Sequence, residues 1–165
     1  MMFPERIKPQ IGQESVWDYP RPPRIEISSK RVQVVFNDVI IADTQRSKRV
    51  LETSHPPVYY IPPEDVEQIY LQKSSHRTYC EWKGIANYYN ISVEGEQSMN
   101  AAWYYANPTP YFAALKDHLA FYPSRVDACY INGEQVKAQP GDFYGGWITK
   151  DIVGPFKGDL GTSGW

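Results

Sequence analysis

Short stretches in which apolar and polar residues alternate, separated by turn residues, run through most of the chain. In residues 31–36, R-V-Q-V-V-F, the apolar Val32, Val34 and Phe36 occupy every second position, which is the period of a β-strand. A second run, V-I-I-A-D, follows Asn37-Asp38, two residue types that tolerate the positive φ of a tight turn. The pattern predicts a β-hairpin here.

Further strands follow with the same spacing, and the segments T-Y-C-E-W-K and I-A-N-Y-Y-N-I-S-V are predicted as two of them, broken at Gly84. A last hairpin is predicted around Asn132-Gly133. No long segment has the 3.6-residue period of a helix, and only short helical turns are expected. The pattern therefore predicts an all-β fold, a small antiparallel two-sheet domain that is tent-like or sandwich-like.

Three parts are predicted along the chain. Residues 1–30 contain five prolines, which favours an extended N-terminal arm. Residues 31–137 are predicted to form the core β domain. Residues 138–165 are rich in glycine but also in large aromatic residues, unlike a flexible linker, so this C-terminal tail is expected to dock on the core.

Composition limits the classes of function. A net charge of -2 supplies no basic field, so no nucleic-acid partner is expected, and no apolar run of about 18 residues predicts a membrane span. Cys80 and Cys129 belong to no C-x-x-C pair, so no metal site, no cofactor and no disulfide are expected. The interpretation is a cytoplasmic protein with reduced thiols. The sequence gives no indication of an oligomeric state.

The candidate polar chemistry lies in residues 52–89. Glu52 and His55 flank a turn stiffened by Pro56-Pro57, and fixed positioning of a carboxylate and an imidazole suits acid-base chemistry. The alternative interpretation is structural: Glu52 is a buried partner for an Arg or Lys, and His55 caps the turn. Lys83 either holds an anionic ligand or pairs with Glu52, or else it is a surface lysine with a buried stem.

Residues 78–83 are predicted to form one strand, in which Cys80 and Trp82 share one face and Tyr79, Glu81 and Lys83 share the other. Cys80 is read as a small buried thiol in preference to a nucleophile. Aromatic residues occur on both faces of several strands, more than one small core can bury, so some are expected to line a concave surface. The aromatic residues predicted to line this surface are Tyr59, Trp82 and Trp103.

The segments R-V-L-E-T-S-H-P-P-V-Y-Y-I-P-P-E-D-V, T-Y-C-E-W-K-G-I-A-N-Y-Y, A-A-W-Y-Y-A-N-P and L-A-F-Y-P-S-R-V-D resemble the family called domain of unknown function 427, which also carries a nucleotidyltransferase label. The resemblance covers residues 31–133 and implies two antiparallel sheets that meet like a tent around a pocket. The family motif is Cys-Pro-Trp-Lys-Gly, and here Glu81 takes the proline position. The backbone N–H of residue 81 is therefore not expected to take part in strand pairing.

Three functions remain open. The first is binding of a small, flat or aromatic ligand in a pocket between the sheets, built from His55, Tyr59, Cys80, Trp82, Lys83 and Trp103. The second is an enzyme, either a nucleotidyltransferase or an acid-base catalyst that uses Glu52, His55 and Lys83. The chain has no G-x-x-x-x-G-K-[ST] phosphate loop, which weakens the nucleotidyltransferase label. The third is a protein-interaction module that uses the arm and the tail.

Overall fold

A computed structural model describes residues 3–165 of the chain; Met1 and Met2, at the start of the predicted arm, lie outside the described residues. Residues 3–165 form fifteen β-strands and five short 3-10 helices, so the predicted all-β class with short helical turns is confirmed. The strands are β1 (Glu14–Ser15), β2 (Arg24–Ile27), β3 (Val32–Phe36), β4 (Val39–Thr44), β5 (Lys48–Leu51), β6 (Val58–Ile61), β7 (Leu71–Cys80), β8 (Gly84–Val93), β9 (Glu96–Tyr104), β10 (Leu119–Phe121), β11 (Ala128–Ile131), β12 (Glu134–Gln135), β13 (Lys137–Ala138), β14 (Trp147–Ile148) and β15 (Ile152–Val153). The 3-10 helices are Val16–Asp18, Pro63–Asp65, Gln68–Tyr70, Pro110–Leu115 and Pro123–Arg125.

Two antiparallel sheets make up most of the structure. The larger has seven strands in the order β2-β5-β6-β10-β9-β8-β7, and the smaller has four in the order β12-β11-β3-β4. Both predicted hairpins are present, and the turn residues Asn37, Asp38, Asn132 and Gly133 all have positive φ. Backbone geometry that only a few residue types accept therefore fixes the register of the smaller sheet.

The space between the two sheets is filled by a cluster of buried side chains, called here the inter-sheet core. It draws on β3, β4 and β11 of the smaller sheet and on β6, β8, β9 and β10 of the larger. Its members are Val32, Val34, Phe36, Ile41, Ala42, Tyr59, Ile61, Val66, Ile91, Val93, Ala101, Ala102, Leu119, Phe121, Cys129, Ile131, Val136 and Trp147.

A second cluster, called here the outer-face cluster, covers the other face of the larger sheet. Successive residues of β6 and β10 alternate between the two clusters, as the period of a strand requires. Phe112 and Leu115, from the 3-10 helix Pro110–Leu115, pack on this face. The members are Val50, Tyr60, Ala86, Tyr88, Trp103, Tyr105, Phe112, Leu115, Ala120 and Tyr122.

Both terminal segments pair with the rest of the chain. Strand β2, inside the predicted arm, pairs with β5 at the edge of the larger sheet, and β1 pairs in parallel with β15 near the C-terminus. In the C-terminal segment β14 pairs with β13. Trp147 of β14 is 0% exposed, and its Nε1 donates a hydrogen bond to the Phe121 carbonyl at 3.1 Å. The inter-sheet core thus includes a side chain from residues 138–165.

We expect Trp147→Ala to destabilise the protein by about 3 to 5 kcal/mol, because the change leaves a cavity in the core and an unpaired carbonyl at Phe121. Urea unfolding followed by far-UV circular dichroism measures this. Phe143→Ala is the matched control, since Phe143 is an aromatic residue of the same segment but is 60% exposed. Equal midpoints for the two variants would contradict a structural role for the C-terminal segment.

Candidate functional site

A cavity of about 430 Å³ lies on the face of the larger sheet that carries the outer-face cluster. Tyr60, Trp103 and Tyr88 line it. They belong to a row of paired residues that crosses β6, β10, β9 and β8, with Ala120 between Tyr60 and Trp103. Ala120 is small, so the rings on either side approach one another, and Trp103 Nε1 donates to the Tyr60 hydroxyl at 3.2 Å. Strand pairing therefore fixes the aromatic walls of the cavity.

This location corrects one prediction. The sequence analysis placed the pocket between the two sheets, whereas the inter-sheet core occupies that space with buried side chains from both sheets. The outer face of the larger sheet has no second sheet to cover it. Part of it is covered by the helix Pro110–Leu115 and by the C-terminal segment, and the cavity lies where this cover is incomplete.

The C-terminal segment forms one side of the cavity through Phe143, Tyr144 and Gly145. Tyr122 donates a hydrogen bond to the Phe143 carbonyl at 3.1 Å, and this contact fixes the segment to the sheet. A Cβ on Gly145 would lie 2.3 Å from Cη2 of Trp103, so only glycine lets the backbone cross the indole ring this closely. The segment is held against the ring that forms the cavity wall.

Lys83 reaches the cavity because the hairpin between β7 and β8 turns earlier than the sequence suggested. β7 ends at Cys80, which pairs with Gly84 at the start of β8, and residues 81–83 form the loop. The prediction of a strand through Lys83, with Tyr79 and Lys83 on one face, is therefore wrong: Tyr79 is exposed and Lys83 is buried. The positive φ of Gly84 allows this three-residue loop. Glu81 lies in the loop and takes no part in the pairing of β7 with β8.

The Lys83 side chain is buried among aromatic rings. The residue is only 7% exposed, and Nζ lies 5.6 Å from the centre of the Phe112 ring and 5.9 Å from that of Tyr105. Within residues 3–165, its ammonium has no carboxylate within 4.0 Å, and the Cys80 thiol is a polar partner beside it. Burial works against the ammonium, but Tyr60, Cys80 and Glu52 favour it, and the pKa of Lys83 is raised on balance. Lys83 thus presents a buried positive charge to the cavity.

Glu52 and His55 also line the cavity, next to each other. Glu52 pairs with Arg21 at 3.3 Å, and its Oε2 lies 3.6 Å from His55 Nε2. Burial, together with the positive charges of Lys157, Arg21 and Lys83, lowers the pKa of His55 to about 3. His55 is therefore a neutral imidazole at neutral pH, and it is a weak base.

The phenol groups around the cavity are also neutral. Burial raises the pKa of Tyr60, Tyr105 and Tyr122 above the ordinary value of 10.0. Each of these hydroxyls keeps its proton at neutral pH and can donate or accept a hydrogen bond. The cavity therefore combines flat apolar rings with polar groups of defined protonation.

The structure brings most of the sequence-predicted site residues to this one cavity: Glu52, His55, Cys80, Trp82, Lys83 and Trp103. Tyr59 is the exception, because it lies in the inter-sheet core with its ring 5.1 Å from that of Trp147. The next residue, Tyr60, points to the opposite face of β6 and lines the cavity instead. The sequence indicates that neighbouring residues of β6 point to opposite faces of the sheet. It does not indicate which of these faces meets the smaller sheet.

Sequence reasoning missed the contribution of the C-terminal segment, which supplies Gln139, Tyr144 and Lys157 to the lining. The glycine pair Gly145-Gly146 was the available signal, since both residues lie where a Cβ would collide with a neighbour. Both cysteines are free: Cys129 is buried between the sheets and Cys80 lines the cavity. Within the described part of the chain, no three His, Cys, Asp or Glu side chains are grouped to hold a metal ion.

A family model described as a domain of unknown function (DUF427) matches residues 24–132, more than half of the chain. The chain belongs to the DUF427 family. The matched region of this DUF427 protein contains Glu52, His55, Lys83 and Trp103, whereas Gln139, Tyr144 and Lys157 lie outside it. None of the curated proteins compared with the chain matches it. Among residues 3–165, no helix is long and apolar enough to cross a membrane.

The lowered pKa of His55 makes stability depend on pH. In the unfolded chain the imidazole takes up its proton near its ordinary pKa of 6.5, but in the folded protein only near about 3. The contribution of neutral His55 is therefore complete above the unfolded pKa and decreases as the pH falls towards 3. We expect the free energy of unfolding of the wild type, relative to His55→Gln, to decrease between pH 7 and pH 4, by at most about 1.4 kcal/mol per pH unit.

Urea unfolding at several pH values measures this difference, and subtraction of the His55→Gln values removes the contribution of the carboxylates that the two proteins share. A difference that does not change with pH would mean that His55 titrates alike in the folded and unfolded states. That result would contradict the neutral, buried imidazole.

Proposed function

We propose that this DUF427 protein binds a small planar or aromatic molecule in the cavity on the outer face of the larger sheet, with an anionic or carbonyl oxygen of the ligand against Lys83. A volume of about 430 Å³ falls within the range of small-molecule sites. Aromatic side chains form a large part of the lining, and a planar ligand can stack on such rings.

The observation that carries the proposal is the Lys83 ammonium. It costs free energy to bury a charge without a counter-ion, and in residues 3–165 no carboxylate lies within 4.0 Å of this ammonium. The Cys80 thiol and the faces of Phe112 and Tyr105 lie beside it, but none of these carries a negative charge of its own. A ligand oxygen at Lys83 would supply an anionic or carbonyl partner. Glu52 does not fill this role, because it pairs with Arg21.

No chemical step is part of the proposal. Glu52, His55 and Lys83 line one cavity, but an imidazole whose pKa is about 3 is a poor general base at neutral pH. The nucleotidyltransferase label belongs to the family, and no described group of residues in this chain favours that reaction. No described group of residues favours a protein-interaction module either.

We expect Lys83→Met to keep the fold and to weaken binding of 2-naphthoate, a planar carboxylate used as a probe, by about tenfold or more. Methionine replaces most of the lysine stem, and a hydrogen bond to a charged group contributes about 1.5 to 3 kcal/mol. Isothermal titration calorimetry measures the affinity, and thermal unfolding measures the fold. Lys73→Met is the matched control, since Lys73 is exposed on β7 and its replacement removes the same charge.

Two results would contradict the proposal. One is an unchanged affinity in Lys83→Met, which would place the bound probe elsewhere on the protein. The other is severe unfolding of Lys83→Met, which would make the ammonium a structural counter-charge. Trp103→Ala provides the comparison for loss of structure, because Trp103 is buried in the outer-face cluster.

A further inference from the structure

The side-chain amide of Gln139 is held in one orientation by two backbone groups. Gln139 is 3% exposed; its Oε1 accepts a hydrogen bond from the Gly146 N–H at 3.1 Å, and its Nε2 donates to the Lys157 carbonyl at 2.8 Å. The reversed amide would face one N–H group with another and one carbonyl with another. Because both groups belong to the backbone of the C-terminal segment, the orientation follows from the fold.

This orientation determines which nitrogen of His55 carries the proton. Gln139 Nε2 lies 3.1 Å from His55 Nδ1. Since the amide nitrogen can only donate, Nδ1 accepts, and the proton of the neutral ring is on Nε2. Glu52 Oε2, at 3.6 Å, is beyond the length of a normal hydrogen bond. His55 thus offers an N–H donor to the cavity that it lines.

The charges around this donor favour a ligand with a negative group. Arg21 neutralises Glu52, whereas Lys83 and Lys157 both line the cavity without a carboxylate within 4.0 Å of their ammonium groups, as far as residues 3–165 are concerned. Lys157 Nζ instead lies over the Tyr144 ring, 5.6 Å from its centre. Glu81 also lines the cavity, but it is exposed. An oxygen with a negative charge finds the His55 donor and two cations here, whereas the same two cations repel an ammonium.

We propose that Gln139 determines ligand specificity: by holding His55 as an Nε2–H donor in the cavity that contains Lys83, it makes the site select planar organic carboxylates over the corresponding amines. The inference rests on the proposed binding function and narrows its ligand class. Gln139 is a positioning residue, since it acts through His55. It lies outside the segment that the family model matches, so this contribution to the preference comes from the C-terminal segment of this chain.

The tautomer of His55 is tested without any ligand, by nitrogen-15 NMR of the imidazole groups at pH 7, with His55→Gln used for assignment. The wild type should carry the proton on Nε2. In Gln139→Glu the carboxylate can accept from the ring, so the proton should move to Nδ1; in Gln139→Leu the preference for Nε2 should weaken. Gln135→Glu and Gln135→Leu, at an exposed glutamine, are the matched controls and should leave the ring unchanged.

A wild-type ring that carries its proton on Nδ1 would overturn the inference. So would a proton that stays on Nε2 in both Gln139 variants. If Gln139→Leu does not fold, Gln139→Glu decides the question, because it retains the size of the side chain and an acceptor for the Gly146 N–H.

The specificity is tested by calorimetry with 2-naphthoate and 2-naphthylmethylamine, which share the ring system and differ in charge. The wild type should bind the carboxylate at least about tenfold more tightly. In Gln139→Glu this ratio should fall to about one or below, because the variant adds a negative charge and removes the Nε2–H donor. Equal or tighter binding of the amine by the wild type would overturn the inference but leave the proposed binding function standing. Binding of neither probe would overturn both.

Discussion

The larger sheet has to bury apolar side chains on both of its faces, and the rest of the structure follows from this requirement. Strands β6 and β10 alternate residues of the inter-sheet core with residues of the outer-face cluster, so neither face can be left in water. The smaller sheet covers one face at the central strands β6, β10, β9 and β8. The other is covered by a short 3-10 helix and the C-terminal segment, and the cavity remains where these pieces do not meet.

The electrostatic character of the cavity follows from the same burial. Desolvation keeps His55 and the surrounding phenols neutral, and a three-residue loop turns Lys83 inwards, where it lies beside aromatic rings and the Cys80 thiol. Neutral donors and one buried cation in an apolar enclosure are suited to holding a ligand oxygen. Proton transfer at neutral pH would need a stronger base than His55.

Local patterns in the sequence predicted the strands and the hairpins at Asn37-Asp38 and Asn132-Gly133, because strand period and turn chemistry involve only neighbouring residues. They did not predict which face of β6 meets the smaller sheet, so Tyr59 was chosen where Tyr60 lines the cavity. They also extended a strand through Glu81–Lys83, since the alternation of these residues cannot reveal an early turn. The role of Gln139 depends on backbone groups at Gly146 and Lys157, contacts that only the folded chain creates.

The central claim, that the outer-face cavity is a ligand site, is tested most directly by the nuclear Overhauser effects between bound 2-naphthoate and assigned aromatic side chains of the protein. The account predicts contacts from the probe to the rings of Trp103 and Tyr105, which line the cavity. Contacts confined to exposed rings outside the cavity, such as Phe3 and Tyr111, with none to Trp103 or Tyr105, would contradict it.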